Sequence, residues 1–206
     1  MLLIRGAQVG PVGTNCYYLL DEQTRSAAVI DPGGSCRQLA QLISDGGYQI
    51  QMILLTHGHF DHVDGVRDLL AERGPVPVYI SQKDYPTCPT GFGMSAIDGL
   101  GELEGVHFLQ EGDTLMLGEH RIHVLETPGH TPGCLTYQVE EHLFTGDTLF
   151  PGSCGRTDFS NSDHRQMMAS LRRLCQLKGD YIVYPGHMNI TTLSKERKYN
   201  PYLRGI

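Results

Sequence analysis

The sequence predicts an α/β domain of short strands interleaved with helices, and three observations carry that expectation. At 206 residues the chain is sized for one domain with one core, and length alone suggests two packed layers. Hydrophobic residues make up 40% and charged residues 19%, which excludes intrinsic disorder, collagen-like repeats and a coiled coil. Twenty-five glycines and 11 prolines imply many short elements joined by turns, not a helical bundle.

Strand-like runs at 2–9, 16–20 and 27–30 make a meander closed by Asp31-Pro32-Gly33-Gly34. Asp31 reads there as a turn residue in preference to a hydrogen-bond partner of a ligand histidine. A helix is predicted over 36–44, with Ser35 as N-cap and Gly46-Gly47 as its stop. Residues 50–55 are near-continuously apolar, as in a strand buried on both faces. Val63, Val66, Leu69 and Leu70 repeat at helical spacing and predict a helix over 63–73, with a strand at 76–80 after it. Residues 85–105 are too long and irregular for a plain connection and read as a flap over a site. Strands follow at 114–117, 122–126, 134–139 and 142–144, then a helix over 163–177 and a strand at 181–184. The two halves are alike in plan, with no sequence repeat to match.

Sixteen Lys plus Arg against 23 Asp plus Glu leave a net charge of -7, which repels phosphate backbones and argues against a nucleic-acid partner. No run of about 18 apolar residues occurs, and Arg5 interrupts the start before a signal-peptide core, so a soluble cytoplasmic protein without a membrane partner is expected. Cysteines at 16, 36, 88, 134, 154 and 175 include no Cys-x-x-Cys pair, and all six, Cys16 and Cys154 among them, read as reduced, mostly buried fillers. A homo-oligomer is left open.

The informative segment is Thr56-His57-Gly58-His59-Phe60-Asp61-His62, directly after the apolar strand. A random His-x-His-x-Asp-His at this chain's own residue frequencies has odds on the order of one in a thousand. His57 and His59 share one side of an extended segment, while Asp61 and His62 begin the next turn and aim at a neighbouring point, which suits two metals better than one. Imidazole and carboxylate donors favour zinc, iron, manganese or nickel, with three or four donors per ion. The remaining donors must come from later loops, and His130, Asp147 and His187 stand out: each follows a strand and a glycine that lets the backbone turn sharply. His107, His120, His123, His142 and His164 lie outside these motifs and read as structural or surface residues. Arg156 and Asp158 read equally as a loop ion pair or as substrate-side residues, and Lys195, Arg197 and Lys198 as a solvated helix face.

The strings THGHFDH, PGHTPG, FTGDTLF and YPGH, in this order, closely resemble the metallo-beta-lactamase superfamily across nearly the whole chain. GRTDF at 155–159 and TTLSKERKYNPYL at 191–203 resemble the short, single-domain bacterial glyoxalase II-like hydrolases. The resemblance implies one domain over 1–206, a four-layer αββα sandwich of two mixed sheets with the site along one edge. It also implies that His57, His59 and His130 hold a first metal and Asp61, His62 and His187 a second, with Asp147 bridging. Two such cations, most simply zinc with iron or manganese as alternatives, lie about 3.5 to 4 Å apart and lower the pKa of a shared water toward about 7. The implied reaction is attack of that hydroxide on a small-molecule thioester or ester carbonyl, with Asp61 orienting it and taking its proton.

Larger glyoxalase II enzymes carry a helical C-terminal domain that grips glutathione. Only 19 residues follow His187 here, so weak discrimination of the thiol is expected. A lactonase or other ester hydrolase and a mono-iron persulfide oxygenase are the alternative enzymes. Diiron redox members of the superfamily replace the second motif histidine by Glu, and His59 at that position favours hydrolysis. A metal-binding partner module without turnover is the non-enzymatic alternative.

Overall fold

The computed structural model describes residues 1–35, 37–85, 100 and 103–204. The first half runs β1 (Leu2–Val9), β2 (Thr14–Asp21), β3 (Ser26–Ile30), α1 (Arg37–Asp45), β4 (Gln49–Leu54), α2 (Phe60–Val63), α3 (Val66–Arg73), β5 (Val78–Ile80), a 3-10 turn at Gln82–Asp84 and β6 (Val106–Phe108). The second runs β7 (Thr114–Leu117), β8 (His120–Glu126), β9 (Leu135–Val139), β10 (His142–Gly146), a small ribbon of β11 (Leu149–Phe150) and β12 (Ser153–Cys154), α4 (His164–Cys175), β13 (Ile182–Pro185), β14 (Thr191–Thr192), α5 (Leu193–Tyr199) and a 3-10 turn at Pro201–Leu203. Six strands in the order β1-β2-β3-β4-β5-β6 form one sheet, and six in the order β14-β13-β10-β9-β8-β7 form the other. Both are mixed: β3, β4 and β5 pair in parallel, as do β10 and β13, while the remaining neighbours except β5 and β6 are antiparallel.

Three apolar cores separate four layers, where length alone suggested two. Strand side chains alternate between faces. In β2, buried along all eight residues, Tyr18 and Leu20 therefore face α1 and α3 while Tyr17 and Leu19 face the second sheet. In the second sheet Phe144 and Tyr184 meet that inter-sheet core, whereas Leu143 and Val183 pack on Met167, Leu171 and Leu174 of α4 and Leu193 of α5. This double burial explains the continuous apolar runs. In β4 it holds only for the second half: Met52, Ile53 and Leu54 are buried, and Gln49 to Gln51 are not.

The helix predicted over 63–73 is two helices. Its break falls where Gly65 donates its N–H to the Pro32 carbonyl at 2.7 Å. Gly33, in the same turn, lies so close to the Asp61 carbonyl that a Cβ would sit 1.4 Å from that oxygen. The Pro32-Gly33-Gly34 turn thus wedges against the histidine-rich segment and interrupts the helix. The candidate flap at 85–105 lies mostly outside the described residues, as do Cys36 and Cys88. Cys16, Cys134, Cys154 and Cys175 are free thiols, with Cys16 and Cys134 buried and the other two partly exposed. Among the described residues no helix is long and apolar enough to cross a membrane.

Candidate metal centre

Every acid and histidine of the motifs leaves the C-terminal end of a strand. β8 and β10 are each antiparallel to β9, and β13 is parallel to β10, so these three point one way, as β3, β4 and β5 do in the other sheet. The loop after β4 with α2 delivers His57, His59, Asp61 and His62. The loops after β8, β10 and β13 deliver His130, Asp147 and His187.

All seven residues converge. His57 Nε2 and His130 Nε2 each lie 3.0 Å from His59 Nδ1, near the separation of about 3.3 Å that imidazole nitrogens have on a tetrahedral zinc at about 2.0–2.1 Å. His187 Nε2 lies 3.2 Å and His62 Nε2 3.7 Å from Asp61 Oδ2. Asp147 sits between the two groups: its Oδ2 is 3.4 Å from His130 Nε2 and 3.6 Å from His187 Nε2, and its Oδ1 is 3.5 Å from His62 Nε2.

The leftover polar atoms point to cations. His62 Nε2 and Asp147 Oδ1 are buried with no hydrogen-bond partner, a state that buried polar atoms avoid unless something completes them. The backbone turn is left-handed at Gly129 (φ 145°) and Gly146 (φ 48°). At Gly186 the need is steric instead: a Cβ there would lie 2.4 Å from Asp147 Oδ1 and 2.6 Å from His62 Cε1. With imidazole and carboxylate donors throughout, the cradle fits a dinuclear metal site.

Buried acids around the centre orient it. Asp31, 2% exposed and at φ 51°, accepts the Thr56 N–H at 2.7 Å, the Thr56 hydroxyl at 2.6 Å and His62 Nδ1–H at 2.9 Å. The structure therefore overturns the turn-residue reading of Asp31: it fixes His62 with Nε2 toward the centre. His57 Nδ1 is 3.1 Å from the Thr56 hydroxyl, and His130 Nδ1–H donates to the Arg156 carbonyl at 2.9 Å.

Charge divides the site. Burial, and then the neighbouring imidazoles, push His57 well below the usual histidine value and His59 down to about 3. Burial also works against protonation of His62, but Asp31 and Asp147 outweigh it and lift this residue to about 9. His187 is raised despite burial by its bond to Asp61 and by Asp147. Asp61, though burial opposes its charge, is held well below the carboxylate range by His187 and His62.

A cleft of about 390 Å³ opens over His59, Asp61, His130, Asp147 and His187, walled by Val12, Phe60, Phe150, Cys154, Arg156 and Phe159. Cys154 is thus part of the cleft wall as well as a filler. Arg156 and Asp158 form a two-bond ion pair, Nε to Oδ1 at 2.9 Å and Nη2 to Oδ2 at 2.8 Å, and the guanidinium stands 4.9 Å over the Phe159 ring. They are an ion pair, and Arg156 also borders the cleft. Arg197 is not part of a solvated face: it donates to the carbonyls of Cys175 at 2.9 Å and Gly179 at 2.7 Å, and to that of Leu177, at the end of α4. Sequence reasoning missed Thr14, whose hydroxyl meets Asp61 Oδ2 at 3.1 Å, and Asp84, whose only local signal is its place after a strand.

A two-sheet αββα sandwich with this donor set at one edge defines a metal-dependent hydrolase fold, and the chain belongs to the metallo-beta-lactamase superfamily, whose model matches residues 9–187. It is 37% identical to hydroxyacylglutathione hydrolase GloC of Haemophilus influenzae over 92% of each chain. Among solved structures it resembles the BLEG-1 B3 metallo-beta-lactamase (TM-score 0.88, 32% identity, covering 98% of this chain and 100% of that one) and TTHA1623 in a di-iron-bound form (TM-score 0.82, 35% identity, covering 97% and 100%).

Proposed function

We propose that this chain is a dinuclear-metal hydrolase that cleaves a small-molecule thioester or ester, in the manner of glyoxalase II, with His57, His59 and His130 holding one ion, Asp61, His62 and His187 the other, and Asp147 shared. The observation that carries this reading is the pair of buried donor groups joined by Asp147 beneath an open cleft. Bound there, two divalent ions, zinc with iron or manganese as alternatives, would supply Lewis acidity toward a carbonyl oxygen and hydroxide at neutral pH. The di-iron form of TTHA1623 supports iron as the alternative.

The chain's own residues do the positioning. Asp61 stays ionised at neutral pH and, with its Oδ2 held by the Thr14 hydroxyl, orients the attacking water and takes up the proton it sheds. A thiolate departs without a strong proton donor, in keeping with motifs that offer no dedicated acid. Phe60, Phe150 and Phe159 keep bulk water from the carbonyl, and Arg156, held by Asp158, stands at the mouth for an anionic substrate end. The GloC relative supports a thioester as the substrate.

Metal analysis together with a panel of thioesters, lactones and beta-lactams tests this. About two ions per chain with thioesters as preferred substrates is the expected result. A single iron with sulfur oxygenation, a lactone preference, or bound metal without turnover of any of them overturns it in favour of the oxygenase, the lactonase or a binding module.

A further inference from the structure

We propose that Asp84 is a positioning residue for the three-histidine half of the centre, its carboxylate clamping the loop that carries His57 and His59 to the loop that carries His130. The inference rests on the two-ion reading above and assigns that half a dedicated support. Asp84 ends the 3-10 turn that leaves β5, and because β5 runs parallel to β4 the turn arrives at the same edge of the sandwich. The side chain is 2% exposed. Its Oδ2 accepts the Gly58 N–H at 3.1 Å and the Thr131 hydroxyl at 2.6 Å, and its Oδ1 accepts the Gly133 N–H at 2.9 Å.

The positions of those donors are what matter. Gly58 lies between His57 and His59, and Thr131 directly follows His130. One carboxylate therefore spans the two loops, from different sheets, that place His57 Nε2 and His130 Nε2 each 3.0 Å from His59 Nδ1. The chain makes room for it: a Cβ at residue 133 would lie 2.5 Å from the Asp84 carboxyl carbon, so the close approach requires glycine. Two of the three donors are backbone N–H groups, buried donors that go unsatisfied without this acceptor. Asp31 is its counterpart on the other half, bonding His62 directly. Two acids, each after a parallel strand of the first sheet, thus support the centre: Asp84 the three-histidine half, and Asp31 His62 directly with His57 reached only through Thr56.

A structural role alone weakens both ions together with the fold. A positioning role weakens one. Asp84→Asn keeps the size but turns one acceptor oxygen into a donor, so that a buried backbone N–H, of Gly133 or of Gly58, faces another donor and the clamp is weakened. The experiment titrates zinc against a competing chelator in four full-length proteins: His187→Ala, which leaves the three-histidine half; His59→Ala, which leaves the other; and each combined with Asp84→Asn. The expected result is a drop in zinc affinity of about 10–100-fold in the His187→Ala background and less than about threefold in the His59→Ala background. Equal losses in both backgrounds, or no loss in either, overturn the proposal. Thirdly, Thr131→Val in the His187→Ala background removes one bond and keeps the carboxylate, so it carries the test if Asp84→Asn does not fold; its expected loss is about three- to tenfold, and no loss counts against the clamp. The unsubstituted chain is titrated alongside: fewer than two zinc ions per chain there would overturn the two-ion reading itself, a result independent of Asp84.

Discussion

Asp31→Asn separates folding from metal recognition. The substitution keeps the side chain's shape and an oxygen for the Thr56 N–H, and asparagine tolerates the left-handed φ of 51°. It removes the acceptor of the Thr56 hydroxyl and of His62 Nδ1–H, at 2.6 and 2.9 Å. Two bonds to a charged acceptor are worth about 3–6 kcal/mol at about 1.5–3 each. The hydroxyl can rotate and His62 can give up its Nδ1 proton, so we expect an observed loss of about 2–3 kcal/mol in urea unfolding of the metal-free protein. That deprotonation has a second effect. An amide donor facing Nδ1 leaves the remaining imidazole proton on Nε2, the atom aimed at Asp147 and Asp61, where an ion needs a lone pair. The ion of the Asp61–His62–His187 group should then bind about 10–100-fold more weakly, about 1.4–2.7 kcal/mol, with the three-histidine ion nearly unchanged. Chelator competition reads both affinities. An Asp61-side affinity within about twofold of the parent would refute the orienting role of Asp31.

Asp147→Ala should empty the Asp61-side position and cut thioester turnover at least about a hundredfold with little change in unfolding, because Asp147 sits on a loop and faces both groups; hydrolysis at the parental rate would exclude a two-ion mechanism. In the metal-free protein at pH 7, His62, with its pKa near 9, is protonated, whereas His57 and His59 are neutral. Zinc entering the Asp61-side group must therefore displace protons, and its affinity there should fall more steeply from pH 8 to pH 5.5 than at the three-histidine group; proton release measured by titration of the single-site variants checks this, and equal release from both contradicts it. Among the described residues the cleft wall offers one guanidinium, already paired with Asp158. Replacing glutathione by a smaller thiol in the same thioester should then change kcat/KM by less than about tenfold, about 1.4 kcal/mol, and a hundredfold loss would establish specific glutathione recognition.

What was legible in the sequence is what is local. The histidine motif and the three glycine-led ligands are short strings, and strands such as β2 betray double burial by unbroken hydrophobicity. The break between α2 and α3 was not legible, because Asp64 and Gly65 fit a helical period and only contact with Pro32 and Gly34 stops the helix there. β6, β11, β12 and β14 have two or three residues each, too few to show a period of two. Asp84 is invisible for another reason: two of its partners are backbone N–H groups, which no residue type announces. Arg197 likewise bonds carbonyls of a segment about twenty residues away, so its charge alone suggested only exposure.

The donors come from both sheets, His57, His59, Asp61 and His62 from one and His130, Asp147 and His187 from the other. An ion held by His57, His59 and His130, or by Asp61, His62 and His187, is therefore a rivet through the seam of the sandwich. Its binding energy adds directly to the cohesion of the two sheets. The inter-sheet core glues the same seam with side chains such as Tyr17, Phe144 and Tyr184, whose rings lie within 5.5 Å of one another. A fastening with two independent materials tolerates loss of either at its own end: bound ions would hold the seam at the loop edge, and the aromatic rings hold it in the interior.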